Sequence, residues 1–68
     1  MIGEEIRKAR QAKGWTQEEL AFAAGISRNY VSLLELNQKS PTVDVFLRVC
    51  KAMEVSASRI IGRVEKGK

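Results

Sequence analysis

Apolar residues recur along the chain at the three- and four-residue spacing of amphipathic helices, and short polar stretches separate the segments that share this spacing. Several segments begin with a common device, in which a capping Ser or Thr follows one apolar residue and precedes another by four positions. Trp15, Thr16 and Leu20 form one such start, and Glu19 completes a capping box with Thr16. The pattern predicts helices at 2–12, 17–24, 28–36, 43–53 and 57–62.

The apolar stripe of a segment marks the face that it turns inward. The stripe of the first helix is Ile2, Ile6 and Ala9, and that of the fourth is Val43, Phe46, Val49, Cys50 and Met53. Strand-like alternation with turn signals does not occur, so the predicted fold class is all-α. A chain of 68 residues is short enough for one domain, which we place at 1–62, followed by a flexible basic tail at 63–68.

The second and third helices are joined by a very short connection that contains Gly25. A tight turn between steeply crossing helices needs a residue that accepts a positive φ, which glycine does without steric cost. Ala21, one turn earlier, is small enough to let the two helices approach closely. The remaining inward positions are apolar, namely Leu20, Ala24, Ile26, Val31 and Leu34. This segment therefore predicts a helix-turn-helix.

The outer face of the third helix carries side chains that suit the edges of DNA bases. Arg28 can donate two hydrogen bonds to guanine, Asn29 can pair with adenine, and Leu33 suits a thymine methyl group. Ser32 can serve either kind of base. Such a face favours a helix that enters the DNA major groove, although an ordinary surface helix can also carry one Arg and one Asn.

The chain resembles the Cro and phage-repressor family of XRE-type helix-turn-helix proteins over Gly14–Ala21, Gly25–Arg28, Val31–Ser32 and Glu35. Within that family it is similar to the restriction–modification controller proteins. The resemblance extends from about Ile6 to Ile60 and includes the spacing of the fourth helix. It implies a five-helix, lambda-repressor-like DNA-binding domain that binds a palindromic operator as a dimer and represses or activates promoters.

The resemblance assigns a role to each matching position. The base-reading residues are Arg28, Asn29, Ser32 and Leu33. The residues that contact the DNA backbone are Gln17, Ser27, Asn37, Lys39, Ser40 and Thr42. Arg10 and Glu35 match positions that pair in relatives, although two unrelated surface charges would look the same in the sequence. Leu33, Leu36 and Asn37 depart from the usual residues of the family, which leaves the operator sequence open.

Composition narrows the class of function further. Twelve Lys and Arg against eight Asp and Glu give a net charge of +4, which favours a polyanionic partner. The chain has no His, and its one cysteine, Cys50, fits a small buried side chain better than a redox sensor. We therefore expect no enzyme activity, metal or cofactor, and no small-molecule ligand is evident from the sequence. A single thiol, an acidic start and the lack of a bilayer-length apolar run predict a cytoplasmic protein without membrane contact.

The last two helices carry more apolar residues than a monomer surface needs. We expect a homodimer contact at Val45, Ile60, Ile61 and Val64, although Ile60 also fits the core and core filling would explain the others. The main alternative function is a protein-interaction module of the same fold, such as an antitoxin or an adaptor. An interface hot spot would be richer in aromatic residues, of which only Tyr30 fits. An RNA-binding helical domain would also need stacking aromatics.

Overall fold

The computed structural model describes residues 1–66, and these form five α-helices with no strand among them. The helices are α1 (Ile2–Ala12), α2 (Gln17–Ala24), α3 (Arg28–Glu35), α4 (Val43–Met53) and α5 (Ala57–Lys66). The all-α, five-helix prediction is confirmed, and the predicted bounds of the first four helices hold to within one residue. None of these helices has the length and apolar character needed to cross a membrane.

The helix starts follow the capping pattern of the sequence. Thr16 Oγ1 accepts a hydrogen bond from the backbone N–H of Glu19 at 3.1 Å, and the Glu19 carboxylate accepts one from the Thr16 N–H at 2.7 Å. Ser27 and Thr42 cap α3 and α4 in the same way, each accepting from the third residue beyond it. Each cap satisfies a backbone donor that the helix itself leaves unpaired, at a typical gain of about 1 kcal/mol.

The five helices surround one core. In it α2 packs against α3 and α4, and α1 packs against α3 and α5. Burying a large aliphatic side chain stabilises the fold by about 1.5–3 kcal/mol, so these contacts dominate stability. Burial also raises the pKa of the Cys50 thiol, which keeps it protonated and unreactive at neutral pH. The buried apolar residues are Ile6, Leu20, Ala21, Ala24, Val31, Leu34, Phe46, Val49, Cys50, Met53 and Ile60.

The structure corrects two expectations about the last helices. The sequence pattern puts Val43 in the inner stripe of α4, but Val43 is 76% exposed because it stands at the first position of the helix, beyond the edge of the packed face. The pattern ends the fifth helix at residue 62, but α5 continues to Lys66. Arg63 reaches Glu5 on α1, with Nη1 3.3 Å from Oε1, and this tertiary contact fastens the extension. The last two residues of the predicted tail, Gly67 and Lys68, lie outside the described residues.

The turn between α2 and α3 has the backbone that the sequence predicts. Gly25 ends α2 in the left-handed region, with φ 72° and ψ 35°. The next N–H, that of Ile26, returns to the carbonyl of Ala21 at 3.0 Å, which closes the turn. Ala21 itself is 4% exposed, as expected for a small residue where two helices meet. This turn sets the angle at which α3 leaves the body of the domain.

A second close approach joins the start of α1 to the end of α3. The backbone N–H of Gly3 donates to Asn37 Oδ1 at 3.0 Å, and Gly3 is buried. A Cβ atom at this position would overlap the backbone carbonyl oxygen of Leu34, which cannot rotate away as a flexible side chain could. Gly3 is therefore required by space rather than by its φ angle.

Replacing Gly3 with alanine is expected to lower the free energy of unfolding by about 1–3 kcal/mol, because α1 and α3 must move apart. Gly62 offers a matched control, since it is also helical but a Cβ added there would meet no atom within 4 Å. Gly62→Ala should be neutral or stabilising by up to about 1 kcal/mol, because alanine favours the helix. Urea denaturation measures both. Equal stabilities of the two variants would contradict the close approach of α1 to α3.

Candidate nucleic-acid interface

The first turn of α3 presents two exposed polar side chains, Arg28 and Asn29, directly after the Ser27 cap. Arg28 makes no ion pair with any carboxylate of residues 1–66, so its guanidinium is available to a partner. Ser32 and Leu33, one turn further along, are half-buried. The predicted base-reading residues thus share one helix, and the two with the longest polar reach are the most exposed.

The Glu35 carboxylate joins the three helices that surround this face. Glu35 Oε2 accepts from Arg10 Nε at 2.7 Å, and Oε1 accepts from Arg10 Nη2 at 3.0 Å and from Gln17 Nε2 at 3.1 Å. Arg10 Nη1 also donates to the Trp15 carbonyl at 2.8 Å. The structure therefore brings Arg10 of α1 and Glu35 of α3 together in a bidentate ion pair. Gln17 connects α2 to the same carboxylate.

Glu35 is buried and Arg10 is half-buried. The side chains of Arg10 and Glu35 are 12% and 2% exposed. The hydrogen bond to Glu35 raises the pKa of the Arg10 guanidinium; burial opposes the shift, and the charge of the carboxylate adds to it. Because the shift is upward from an already basic value, Arg10 keeps its proton throughout the neutral range. Arg10 therefore keeps its positive charge beside Glu35 near neutral pH, and its hydrogen bonds connect α1 to α3.

Four of the six residues predicted to contact the DNA backbone have internal hydrogen bonds. Gln17 donates to Glu35, and Asn37 accepts from Gly3 with its own backbone at φ 59°. The hydroxyls of Ser27 and Thr42 are helix caps, as described above. These contacts orient the four side chains, and Gln17 and Asn37 each keep amide hydrogens that the internal bonds do not use.

Lys39 and Ser40, the other two predicted backbone contacts, are exposed in the loop between α3 and α4. The ammonium nitrogen of Lys39 lies 6.0 Å from the centre of the Tyr30 ring, at the outer limit of a cation–π contact. Lys39 forms no ion pair with a carboxylate in the part of the chain that the structure describes. The loop therefore carries an available positive charge beside the end of α3.

Some of the Lys and Arg side chains form ion pairs within the domain, and others do not. Among the side chains that the structure describes, in residues 1–65, five basic ones pair with carboxylates, namely Lys8, Arg10, Lys13, Arg48 and Arg63. Over the same range Arg7, Arg28, Lys39, Lys51 and Arg59 have no such partner. Arg28 lies on α3, Lys39 follows it in the chain, and Arg7 lines the same cleft as Ser32 of α3. Three available cations therefore surround α3.

Sequence reasoning missed two features of this region. Arg7 and Gln11 of α1 line a polar cleft together with Gln17 and Ser32, although the sequence predicts only an inner apolar stripe and the Arg10 pair on α1. The spacing from Arg7 to Arg10 and from Arg7 to Gln11 places all three on neighbouring parts of one helical face, which was the available signal. The second missed feature is Phe22 on α2, which is 91% exposed. Tyr30, the aromatic residue noted in the sequence, is half-buried.

The residues predicted for a dimer contact do not form one exposed set. Ile60 is 2% exposed and belongs to the monomer core, so it is corrected from an interface residue to a core residue. Val45 and Val64 are half-buried and pack against that core. Ile61 is 46% exposed, and Leu47 on α4, which the sequence analysis did not single out, is 51% exposed. The exposed large apolar side chains of α4 and α5 are therefore Val43, Leu47 and Ile61.

The fold and the charged face of α3 define a helix-turn-helix domain. The helix-turn-helix family of XRE type matches residues 6–60, and the chain belongs to that family. The transcriptional regulator SinR of Bacillus subtilis is 34% identical over 62 residues, which cover 90% of this chain and 56% of SinR. The chain spans only about 60% of the length of the curated SinR proteins that it matches.

Two solved structures are similar to the whole domain. The restriction-modification controller protein C.AhdI from Aeromonas hydrophila shares 32% identity at a TM-score of 0.84, over 87% of this chain and 89% of that chain. SinR in a complex with DNA also shares 32% identity at a TM-score of 0.84, over 90% of this chain and 98% of that chain. The resemblance drawn from the sequence is thus confirmed at the level of family and fold.

Proposed function

We propose that the chain is a sequence-specific, double-stranded DNA-binding transcriptional regulator that binds a palindromic operator as a dimer. The observation that carries the proposal is the exposed Arg28–Asn29 pair in the first turn of a helix that is fastened to the domain through buried Glu35. An experimental parallel is SinR, which has been solved in complex with DNA. The activity requires no catalytic group, metal or cofactor, and we place it in the cytoplasm.

Recognition begins with α3 in the major groove. The guanidinium of Arg28 can donate to guanine O6 and N7 at once, and the Asn29 amide can pair with adenine N6 and N7. Ser32 and Leu33, half-buried one turn later, can add only short-range contacts. Because α3 is short and read from its N-terminal end, most discrimination is assigned to the first two side chains.

Phosphate contacts hold this helix in register. The proposed contacts are Lys39 and Ser40 in the loop and the backbone N–H groups at the start of α4, where Thr42 caps the helix. Gln17 and Asn37 can donate their remaining amide hydrogens from fixed positions. Charge-based contacts of this kind strengthen binding to any sequence and are weakened by salt.

Arg28→Ala is expected to weaken binding to the preferred operator by about 1–3 kcal/mol and to relax selectivity at one base pair of each half-site. The operator is first isolated by selection from a random duplex library, and affinities are then measured by fluorescence anisotropy. Arg28→Lys is the matched control for charge. It should retain the salt dependence of wild type but lose most of the selectivity, because an ammonium lacks the planar fork of donors.

Lys39→Ala is the comparison variant, because it removes a proposed phosphate contact instead of a proposed base contact. It should weaken operator and mixed-sequence duplexes alike and reduce the slope of log affinity against log salt by about one. If Arg28→Ala behaved like Lys39→Ala, Arg28 would be a phosphate contact and base reading would lie elsewhere on α3.

A protein-interaction module remains the second candidate function, and Phe22 is the observation that favours it. The side chain of Phe22 is 91% exposed, and aromatic residues are enriched in binding hot spots. The two functions differ in their dependence on Phe22. Under the DNA-binding proposal, Phe22→Ser leaves affinity for the selected operator unchanged; failure of the selection to enrich any duplex would favour the second function.

A further inference from the structure

A polar cleft of about 290 Å³ lies where α1, α2 and α3 meet. Arg7 and Gln11 of α1, Gln17 of α2 and Ser32 of α3 line it, and the Arg10–Glu35 pair contributes its remaining polar wall. The cleft thus continues the α3 surface onto a helix that lies outside the helix-turn-helix.

The charges in the cleft favour an anion. Both carboxylate oxygens of Glu35 already accept hydrogen bonds, three in all, from Arg10 and Gln17. Two arginines against one glutamate leave a net charge of +1 among the lining residues. Arg7 supplies that excess, since Arg10 is committed to Glu35 and Arg7 pairs with no carboxylate among residues 1–66.

Arg7 lies on the part of α1 that borders the cleft, and the neighbouring Lys8 does not. Arg7 precedes Arg10 by three residues, so both lie on the side of α1 that faces α3. Lys8, the next residue, is rotated by about 100° around the helix and does not line the cleft. Its ammonium group lies 3.8 Å from a carboxylate oxygen of Glu5. Arg7 and Lys8 both line a separate surface cleft with Glu4, but only Arg7 also lines the cleft at α3.

We infer that Arg7 and Gln11 bind a phosphate of the DNA backbone at the edge of the groove that α3 enters. The inference rests on the proposed function. Arg7 supplies the charge, Gln11 supplies a neutral amide donor one turn later, and Ser32 marks where the cleft meets the base-reading face. A phosphate fixed here would set the position of α3 from the α1 side, in addition to the contact proposed for Lys39 in the loop.

The test compares Arg7→Ala with Lys8→Ala, which removes the same charge one residue away. Fluorescence anisotropy with a labelled duplex of mixed sequence, repeated over a series of salt concentrations, gives the slope of log affinity against log salt. Arg7→Ala should lower the slope by about one, and Lys8→Ala should leave it at the wild-type value. Arg7→Lys should keep the slope. Gln11→Ala should weaken binding about threefold to tenfold without changing the slope, since it removes a donor but no charge.

The outcomes separate this inference from the proposed function. If wild type binds but Arg7→Ala keeps the full slope, the α1 contact is wrong and the proposed function stands. If Arg7→Ala and Lys8→Ala lower the slope equally, the effect is general charge and the contact is again wrong. If wild type binds no duplex, both fail. Thermal unfolding of each variant establishes that the exposed substitutions leave the fold intact.

Discussion

Arg10→Met is expected to lower the free energy of unfolding by about 3–5 kcal/mol, because it leaves the Glu35 carboxylate buried without its cation. Glu35 is 2% exposed and would keep only the hydrogen bond from Gln17. A domain of this size has a total stability of about 3–10 kcal/mol, so the variant should be largely unfolded or melt at least about 12 °C lower. Circular dichroism during heating and urea denaturation measure the loss.

Arg7→Met is the matched control, because it makes the same change one turn earlier on α1 at an exposed position. Its effect should lie within about 0.5 kcal/mol. The double variant Arg10→Met/Glu35→Leu should recover much of the stability, since an apolar pair of similar volume carries no desolvated charge. An Arg10→Met protein as stable as the Arg7→Met protein would show that Glu35 is not held in a dry site.

Ile61→Glu is expected to convert a dimer into monomers and to lower operator affinity by about 10²–10⁴-fold, the gain that two linked half-site contacts provide. Ile61 is 46% exposed on α5, so a charge here would enter the proposed dimer contact. The fold should be retained, because Ile61 is not among the buried residues. Sedimentation and anisotropy on full and half operators measure the two effects.

Phe22→Glu controls for the chemistry of this change, since it also replaces an exposed apolar side chain with a carboxylate. It should leave both the dimer and the operator affinity intact. A two-fold dimer explains how an eight-residue helix could select a genomic site, because two copies about 34 Å apart read it twice. A wild-type protein that stays monomeric at micromolar concentration and binds one half-site with full affinity would rule the dimer out.

The parts of the fold that were predicted correctly depend on local interactions. The Thr16–Glu19 capping box and the left-handed Gly25 each involve residues within a few positions of one another, and the sequence contains everything that determines them. The five-helix order followed from these signals and from the apolar spacing. Helix ends are less local: α5 extends past its predicted end, and Arg63 in the extension contacts Glu5, 58 positions away, while Val64 packs against the core.

The candidate site shows the same division. Arg28 and Asn29 face outward because the apolar stripe of α3 faces inward, so their exposure could be predicted. Asn37 is predicted to contact the DNA backbone, yet its side chain accepts from Gly3, 34 positions earlier. Gln17 likewise bonds to Glu35 across the helix pair. Periodicity marks a polar residue as outward or inward, but it does not identify the distant group that the side chain meets.

The fastening of α3 has a consequence for how binding responds to a wrong base. The helix is held at its far end by Asn37 against Gly3 and along its side by Glu35 against Arg10 and Gln17. A helix held this way cannot tilt on its own to rescue a mismatched contact, and it loses little conformational entropy when it binds. Each wrong base pair should therefore lower the binding free energy by about 1–3 kcal/mol independently of the others. The losses at separate positions should add, so that the affinities of operators can be ranked by summing them.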